Sequence, residues 1–231
     1  GYFGKGIKFD GSSGYVMTQA VADQLDIDGK KPRTISFWVK VNGNNPQSEP
    51  GFYGYGETSS SNGMNKFWGI RNIKDGGYTQ LLSQHWGWDP RAYHSDSLLE
   101  RWAHFAHTFN GSEIAIFMDG SSIANWTRSQ ISTGVAQTFQ FGRWRNDSRA
   151  YFGGTLDDMR VYDIALSENE IQQIFSGQDL VEDIVYLQHT IYASGDPTSF
   201  SSSPLPTGLS FNSYTGEITG RPFQVGTFDL N

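Results

Sequence analysis

Gly153-Gly154-Thr155-Leu156-Asp157-Asp158-Met159-Arg160-Val161-Tyr162-Asp163-Ile164-Ala165-Leu166-Ser167 decides how the rest of this chain is read. Leu156, Asp158, Arg160 and Tyr162 alternate with Asp157, Met159 and Val161, the period of two that a strand imposes on its two faces. A helix signal follows at once. Ser167 stands three residues before Glu170 as a capping box, Ile171, Ile174 and Phe175 form an apolar stripe at helical spacing, and Gly177 supplies the stop. A closing strand that runs straight into a short capped helix is therefore expected.

Working outward, short alternating segments separated by turn residues predict strands at 6–9, 15–17, 33–41, 51–55, 66–73, 78–83, 102–109, 113–118, 122–127, 138–142 and 154–162. In the clearest, Ile35, Phe37 and Val39 share one face and Ser36, Trp38 and Lys40 the other. Asn110-Gly111-Ser112 turns the strand at 102–109 into the strand at 113–118, and Asp119-Gly120 marks the next reversal. Many short strands with one helix at the end predict an all-β fold, a two-sheet antiparallel jelly-roll sandwich. After Gly177 the composition turns polar and acidic, then rich in Ser, Thr, Pro and Gly. The domains expected are 1–178 and 179–231, the second a small, incomplete β-sandwich with strands near 185–192, 208–211 and 217–220.

Composition narrows the partners. The 24 acidic and 17 basic residues give a net charge of -7 without a Lys/Arg run, which argues against nucleic acid and suits a cation. No cysteine occurs, so disulfides and thiolate metal sites are excluded. No apolar run is long enough to span a bilayer, and a strand-like start at Gly6-Ile7-Lys8-Phe9 without a signal peptide reads as a piece excised from a larger extracellular chain.

Four segments in order carry a resemblance: Gly4-Lys5-Gly6-Ile7-Lys8-Phe9-Asp10-Gly11 with Tyr15-Val16; Thr34 to Val39; Trp102-Ala103-His104-Phe105-Ala106 with Asp119-Gly120; and Gly154 to Tyr162 with Ala165-Leu166-Ser167 and Glu170-Ile171. Together they resemble the laminin-G-like jelly rolls of the concanavalin A-like group, which includes pentraxins. Residues 184–231, through Leu205-Pro206-Thr207-Gly208-Leu209-Ser210-Phe211 and Thr215-Gly216-Glu217-Ile218-Thr219-Gly220-Arg221-Pro222, resemble the cadherin-like or immunoglobulin-like repeats of large bacterial surface adhesins of the RTX type. The two resemblances imply a recognition domain presented on a cell-surface stalk, where such modules grip peptides or glycans through Ca²⁺. They also imply a structural Ca²⁺ held by Asp157 together with Asp10 or a backbone carbonyl.

If every connection reverses direction, loops 18–32, 56–65, 84–101, 119–121 and 143–153 share one end of the sandwich. Calcium takes about six to eight hard oxygen ligands, which loops rich in Asp, Asn, Ser and Gly supply. On that rim Asp89, Asp96, Asp119, Asn146 and Asp147 are the candidate ligands, with Glu57 and Asn65 behind them. The same residue types are also ordinary turn formers. Trp86, Trp88, Tyr93 and Trp144 are candidate surfaces for a sugar or peptide, and Arg143 and Arg145 suit a carboxylate.

Catalytic patterns do not emerge. Neither a Glu-x-Asp-x-Glu arrangement nor His-Glu-x-x-His nor Gly-x-Ser-x-Gly occurs. The function expected is a non-catalytic, calcium-dependent module of a bacterial surface adhesin, binding a peptide or glycan on a host or neighbouring cell through one loop rim. The alternative is a structural spacer or an accessory carbohydrate-binding module of a secreted polysaccharide-degrading enzyme.

Overall fold

The computed structural model describes residues 1–42, 49–57, 66–73, 79–85, 87–134, 138–145, 148–178, 187–190, 198–199, 205 and 209–220. The chain divides into two units, Gly1–Ser176 and Gly177–Asn231.

In the first unit the strands are β1 (Ile7–Asp10), β2 (Val16–Val21), β3 (Arg33–Val41), β4 (Gly51–Gly56), β5 (Phe67–Ile73), β6 (Thr79–Gln84), β7 (Arg91–His94), β8 (Trp102–Phe109), β9 (Glu113–Met118), β10 (Ser121–Thr127), β11 (Thr138–Phe141) and β12 (Gly153–Tyr162), followed by helix α1 (Glu168–Phe175). They form two antiparallel six-stranded sheets, ordered β1-β12-β3-β8-β9-β10 and β2-β11-β4-β5-β6-β7, packed as a jelly-roll sandwich. The all-β expectation and the closing helix hold. Ser167 caps α1 by a reciprocal capping box, its backbone N–H donating to Glu170 Oε2 at 2.6 Å, and Ile171 and Ile174 are buried.

Two details depart from the pattern read in the sequence. β7 was not foreseen. And the alternation in β12 is broken by a bulge, because Asp157 faces Trp38 whereas Arg160 faces Ser36, leaving one residue too many on β12. Asp158 takes up the extra residue at φ 48°, a region Asp tolerates better than most side chains, and accepts from Arg160 Nε at 2.9 Å.

Inward-facing aromatics fill the core: Phe37, Phe52, Phe105, Phe109, Phe139 and Trp68 are fully buried. Within it runs a polar chain. Tyr53 Oη lies 2.6 Å from His107 Nδ1, His107 Nε2 lies 2.8 Å from Ser83 Oγ, Ser83 Oγ lies 2.6 Å from His85 Nε2, and His85 Nδ1 lies 3.3 Å from the Phe67 carbonyl. The Phe67 oxygen can only accept, so donors follow one direction: His85 Nδ1–H to Phe67, Ser83 O–H to His85, His107 Nε2–H to Ser83 and Tyr53 O–H to His107. Every member is satisfied with both imidazoles neutral, the state burial also favours, since it lowers His85 to about 3 and His107 well below its usual range. Beside them the fully buried Arg33 donates to the carbonyls of Ile27, Gly29 and Lys31 and to Thr133 Oγ1, and stacks on Trp68 and Phe109.

In the second unit β13 (Leu187–Thr190), β14 (Leu209–Asn212) and β15 (Glu217–Gly220) form an antiparallel sheet in the order β13-β15-β14. Asn212 Oδ1 accepts from the amides of Tyr214 and Thr215, shaping the turn between β14 and β15.

Candidate functional site

The extra strand β7 divides the expected rim. Strand directions place residues 85, 87–90 and 128–134 at the end that holds residues 22–32, whereas 95–101, 119–120, 142–145 and 148–152 lie at the opposite end with residues 11–15. Glu57, Trp88 and Asp89 are thus separated from Asp96, Asp119, Arg143, Trp144 and Arg145, and the single rim is corrected to two. Asn65, Trp86, Asn146 and Asp147 lie outside the described residues.

The described carboxylate candidates are each engaged by protein groups. Asp119 sits in a left-handed turn at φ 51°, accepts from the His104 amide at 2.8 Å and pairs with Arg101 at 3.0 Å. Asp96 is 3.6 Å from the same guanidinium. Asp89 receives the His85 amide at 2.7 Å. Asp10 collects the amides of Ser12, Ser13 and Gly14 and the Ser13 hydroxyl, which together hold its carboxyl far below the usual range, the Ser13 hydroxyl first. Asp157 instead receives the Phe3 amide at 2.9 Å. Asp10 faces Gly153 in the β1–β12 ladder, so Asp157, four residues further on, is about 13 Å away. The two carboxylates are therefore too far apart to share one ion, whereas Asp157 with a backbone carbonyl is a separate arrangement. Among the described residues no group of three His, Asp or Glu side chains is placed to hold a metal.

The aromatic expectations also divide. Trp144 is 2% exposed and lies against Phe67 and Ala150, so it offers no free face to a ligand. It fits because β4 carries Gly51 and Gly54 on its outer side, where a Cβ would collide with Trp144. Its indole N–H donates to the Glu49 carbonyl at 2.9 Å. Arg143 is buried too, its guanidinium 3.5 Å from the Tyr15 ring and its Nε donating to Gln140 Oε1. Trp88 is partly buried against the core, with Arg128 over its ring. Tyr93 behaves differently: at 54% exposure it stands outside, its hydroxyl accepting from Gln80 Nε2 at 2.7 Å.

Tyr93 belongs to the outer face of the second sheet. Core residues Trp68, Ile70, Leu81 and Ala92 point inward from β5, β6 and β7, so by alternation Arg71, Gln80, Leu82, Gln84, Arg91 and Tyr93 point outward. The register aligns Arg71 with Leu82 and Leu82 with Arg91, a row across three strands; Gln80 with Tyr93 makes the next row. Glu49 Oε2 lies 3.2 Å from Arg71 and 3.3 Å from Arg145, and both guanidiniums stack on Trp144. Burial lowers the Arg71 pKa, opposed by Glu49, and leaves it charged. On this face Arg91 and Tyr93 are exposed and Arg71 is partly so, while Gln80, Leu82 and Gln84 are buried. Of these residues Tyr93 and Arg145 were sequence candidates; Arg71, Gln80, Gln84 and Arg91 were not. Their signal was the outward parity of Thr79-Gln80-Leu81-Leu82-Ser83-Gln84, legible once the strand direction is known.

An antiparallel jelly roll with a polar outer sheet face and a capped closing helix belongs to the lectin-like class of β-sandwiches. Residues 10–172 match the family model described as "Concanavalin A-like lectin/glucanases superfamily", and the chain belongs to that family. Residues 172–231 match a second model, "Putative Ig domain". Mouse usherin is 31% identical over 86 residues, which are 35% of this chain and 2% of usherin. The heptameric SAP-like pentraxin of Limulus polyphemus superposes with a TM-score of 0.59 at 16% identity, covering 74% of this chain and 81% of that one. The CBM40 module of a Ruminococcus gnavus IT-sialidase, solved with α2,3-sialyllactose, gives 0.57 at 14% identity over 74% of this chain and 96% of its own. At such identities the likeness is one of fold.

Proposed function

We propose that residues 1–176 form a non-catalytic carbohydrate-binding module that takes its ligand on the outer face of β5–β7, within a larger extracellular chain. The observation that carries this reading is Tyr93, an exposed ring pinned by Gln80 beside a row of two arginines. Aromatic rings stack on sugar faces, while guanidinium and amide groups serve the hydroxyls. A fold neighbour solved with a bound sialyllactose supports it. The immunoglobulin-type segment that follows suits presentation on a surface stalk.

A glycan array probed with the full chain, followed by titration calorimetry on the best binder, tests this. Tyr93→Ala should weaken affinity by about tenfold or more with the melting temperature unchanged. An array silent at millimolar glycan, or full affinity in the variant, overturns the reading. Because the described carboxylates are committed to protein donors, EDTA should leave affinity unchanged; its abolition would restore calcium to the site.

A further inference from the structure

The outer face of the other sheet carries a cleft of about 410 Å³, over β8–β10. Its floor is built by register. Ile114, Ile116 and Met118 of β9 point into the core, so Glu113, Ala115 and Phe117 point outward. Thr108 of β8 and Asn125 of β10 oppose Ala115 on either side, and a single methyl between two longer side chains leaves the surface hollow there. One wall is the segment 165–167 that leads into α1. It is fixed to β3, because the Thr34 hydroxyl donates to the Ile164 carbonyl at 2.8 Å and accepts from the Leu166 amide at 2.9 Å. The cleft is thus preformed, and its volume falls among those of small-ligand sites, about 300–1,000 Å³. Glu113, Asn125 and Glu168 line it and are exposed, so solvent reaches it.

Its charge is of one sign. Among the described residues no basic side chain lines the cleft, and neither Glu113 nor Glu168 enters an ion pair. Their partners are neutral: Glu113 accepts from Asn110 Nδ2 at 3.1 Å and Glu168 from the Ser122 amide at 3.4 Å. Glu170 closes the capping box of α1, whereas Glu168 turns toward β10. Ser122 opposes Phe117, four residues along β9 from Glu113, so the two carboxylates mark ends of the cleft about 13 Å apart. Between them Thr108, only 6% exposed, and Asn125 direct no side-chain hydrogen bond to any described residue.

We propose that this cleft binds a short oligosaccharide of amino sugars whose amines are free and protonated. An ammonium group at each end meets Glu113 and Glu168, ring hydroxyls serve Thr108 and Asn125, and a ring face lies over Ala115. A linear polyamine would supply the two charges but only methylenes between them, leaving Thr108 and Asn125 unserved. The site is on the opposite sheet from Tyr93 and does not depend on the reading of that face.

The probes are a glucosamine trisaccharide, its fully N-acetylated form and spermidine, each titrated against the full chain at mildly acidic pH and at low and high salt. The free-amine sugar should bind about tenfold or more tightly than the acetylated one, and more weakly as salt rises. Glu113→Gln and Glu168→Gln should each narrow that difference and together remove it. Ala115→Leu should fill the hollow and abolish binding with the melting temperature unchanged. Tyr93→Ala should have no effect on this binding, whatever it does at the β5–β7 face. Equal affinity for the two sugars, no binding of either, or loss of binding in Tyr93→Ala but not in Ala115→Leu overturns the site. Spermidine binding as tightly as the free-amine sugar overturns the sugar assignment.

Discussion

The Tyr53 hydroxyl donates to His107 Nδ1 across 2.6 Å, joining β4 of one sheet to β8 of the other in a fully buried interior. The bond exists only while His107 is neutral at that nitrogen, and the same holds for Ser83 against His85. The middle of the sandwich is thus held partly by groups that titrate.

Acid should therefore destabilise the first unit well above the range of its carboxylates. Burial lowers His85 to about 3 and His104 to about 4, and holds His107 well below its ordinary value of 6.5. The unfolded chain takes up protons below pH 6.5 while the folded one does not, so stability is complete above that value and is lost as the pH falls toward 4 and 3. Each histidine contributes a slope of about 1.4 kcal/mol per pH unit in that window. Urea unfolding between pH 7.5 and 4.5 measures it. A flat midpoint from 7 to 5 would contradict neutral buried histidines.

Removing one link of the chain should cost more than the bond is worth. Tyr53→Phe leaves His107 Nδ1 without a donor, and about 1–3 kcal/mol is expected. Ser83→Ala orphans two imidazole nitrogens at once and should cost more than Tyr53→Phe, which paired denaturation curves would show. Nitrogen chemical shifts of the imidazoles should report His107 protonated at Nε2 and His85 at Nδ1.

Arg33 predicts a third outcome. Its guanidinium supplies donors to three carbonyls and one hydroxyl inside the protein, so Arg33→Ala opens a cavity and strands those acceptors. A loss of about 3–5 kcal/mol is expected. Thermal melts decide it; a change below 1 kcal/mol would mean that water replaces the guanidinium without penalty.

At the outer face, Gly51→Ala should push the Trp144 indole out of its slot, since the new methyl meets the indole itself, and Gly54→Ala should shift the same segment through the Trp144 carbonyl. Overpacking costs about 1–3 kcal/mol, and the displaced indole should redshift its emission and gain access to quencher. Unchanged fluorescence in both variants would show that the Trp144 segment is not seated on β4.

Most strands and the closing helix were legible because alternation, turn residues and a capping box are local signals. β7 was not, since Arg91-Ala92-Tyr93-His94 turns only an alanine inward and gives little alternation contrast. That omission had a large effect, because one strand reverses the end to which every later loop belongs. Trp144 illustrates a different limit: its sequence neighbours suggest an exposed loop, whereas its burial is set by two glycines about ninety residues earlier. Arg71 and Gln84 carry no motif at all. They acquire meaning only when register brings them onto one face.

The bulge at Asp158 acts on β12 as an insertion acts on a reading frame. Leu156 opposes Val39 and Val161 opposes Ile35, so two residues an odd number of positions apart both face the core. Excising Asp158 would leave Leu156 and Val161 four positions apart, so strict alternation alone would keep both on the core face, opposite the same residues of β3, and the bulge would vanish. The bulge thus works as a frame correction: one added residue of length is absorbed at a single point, and the parity read along the sequence changes there while the core face does not.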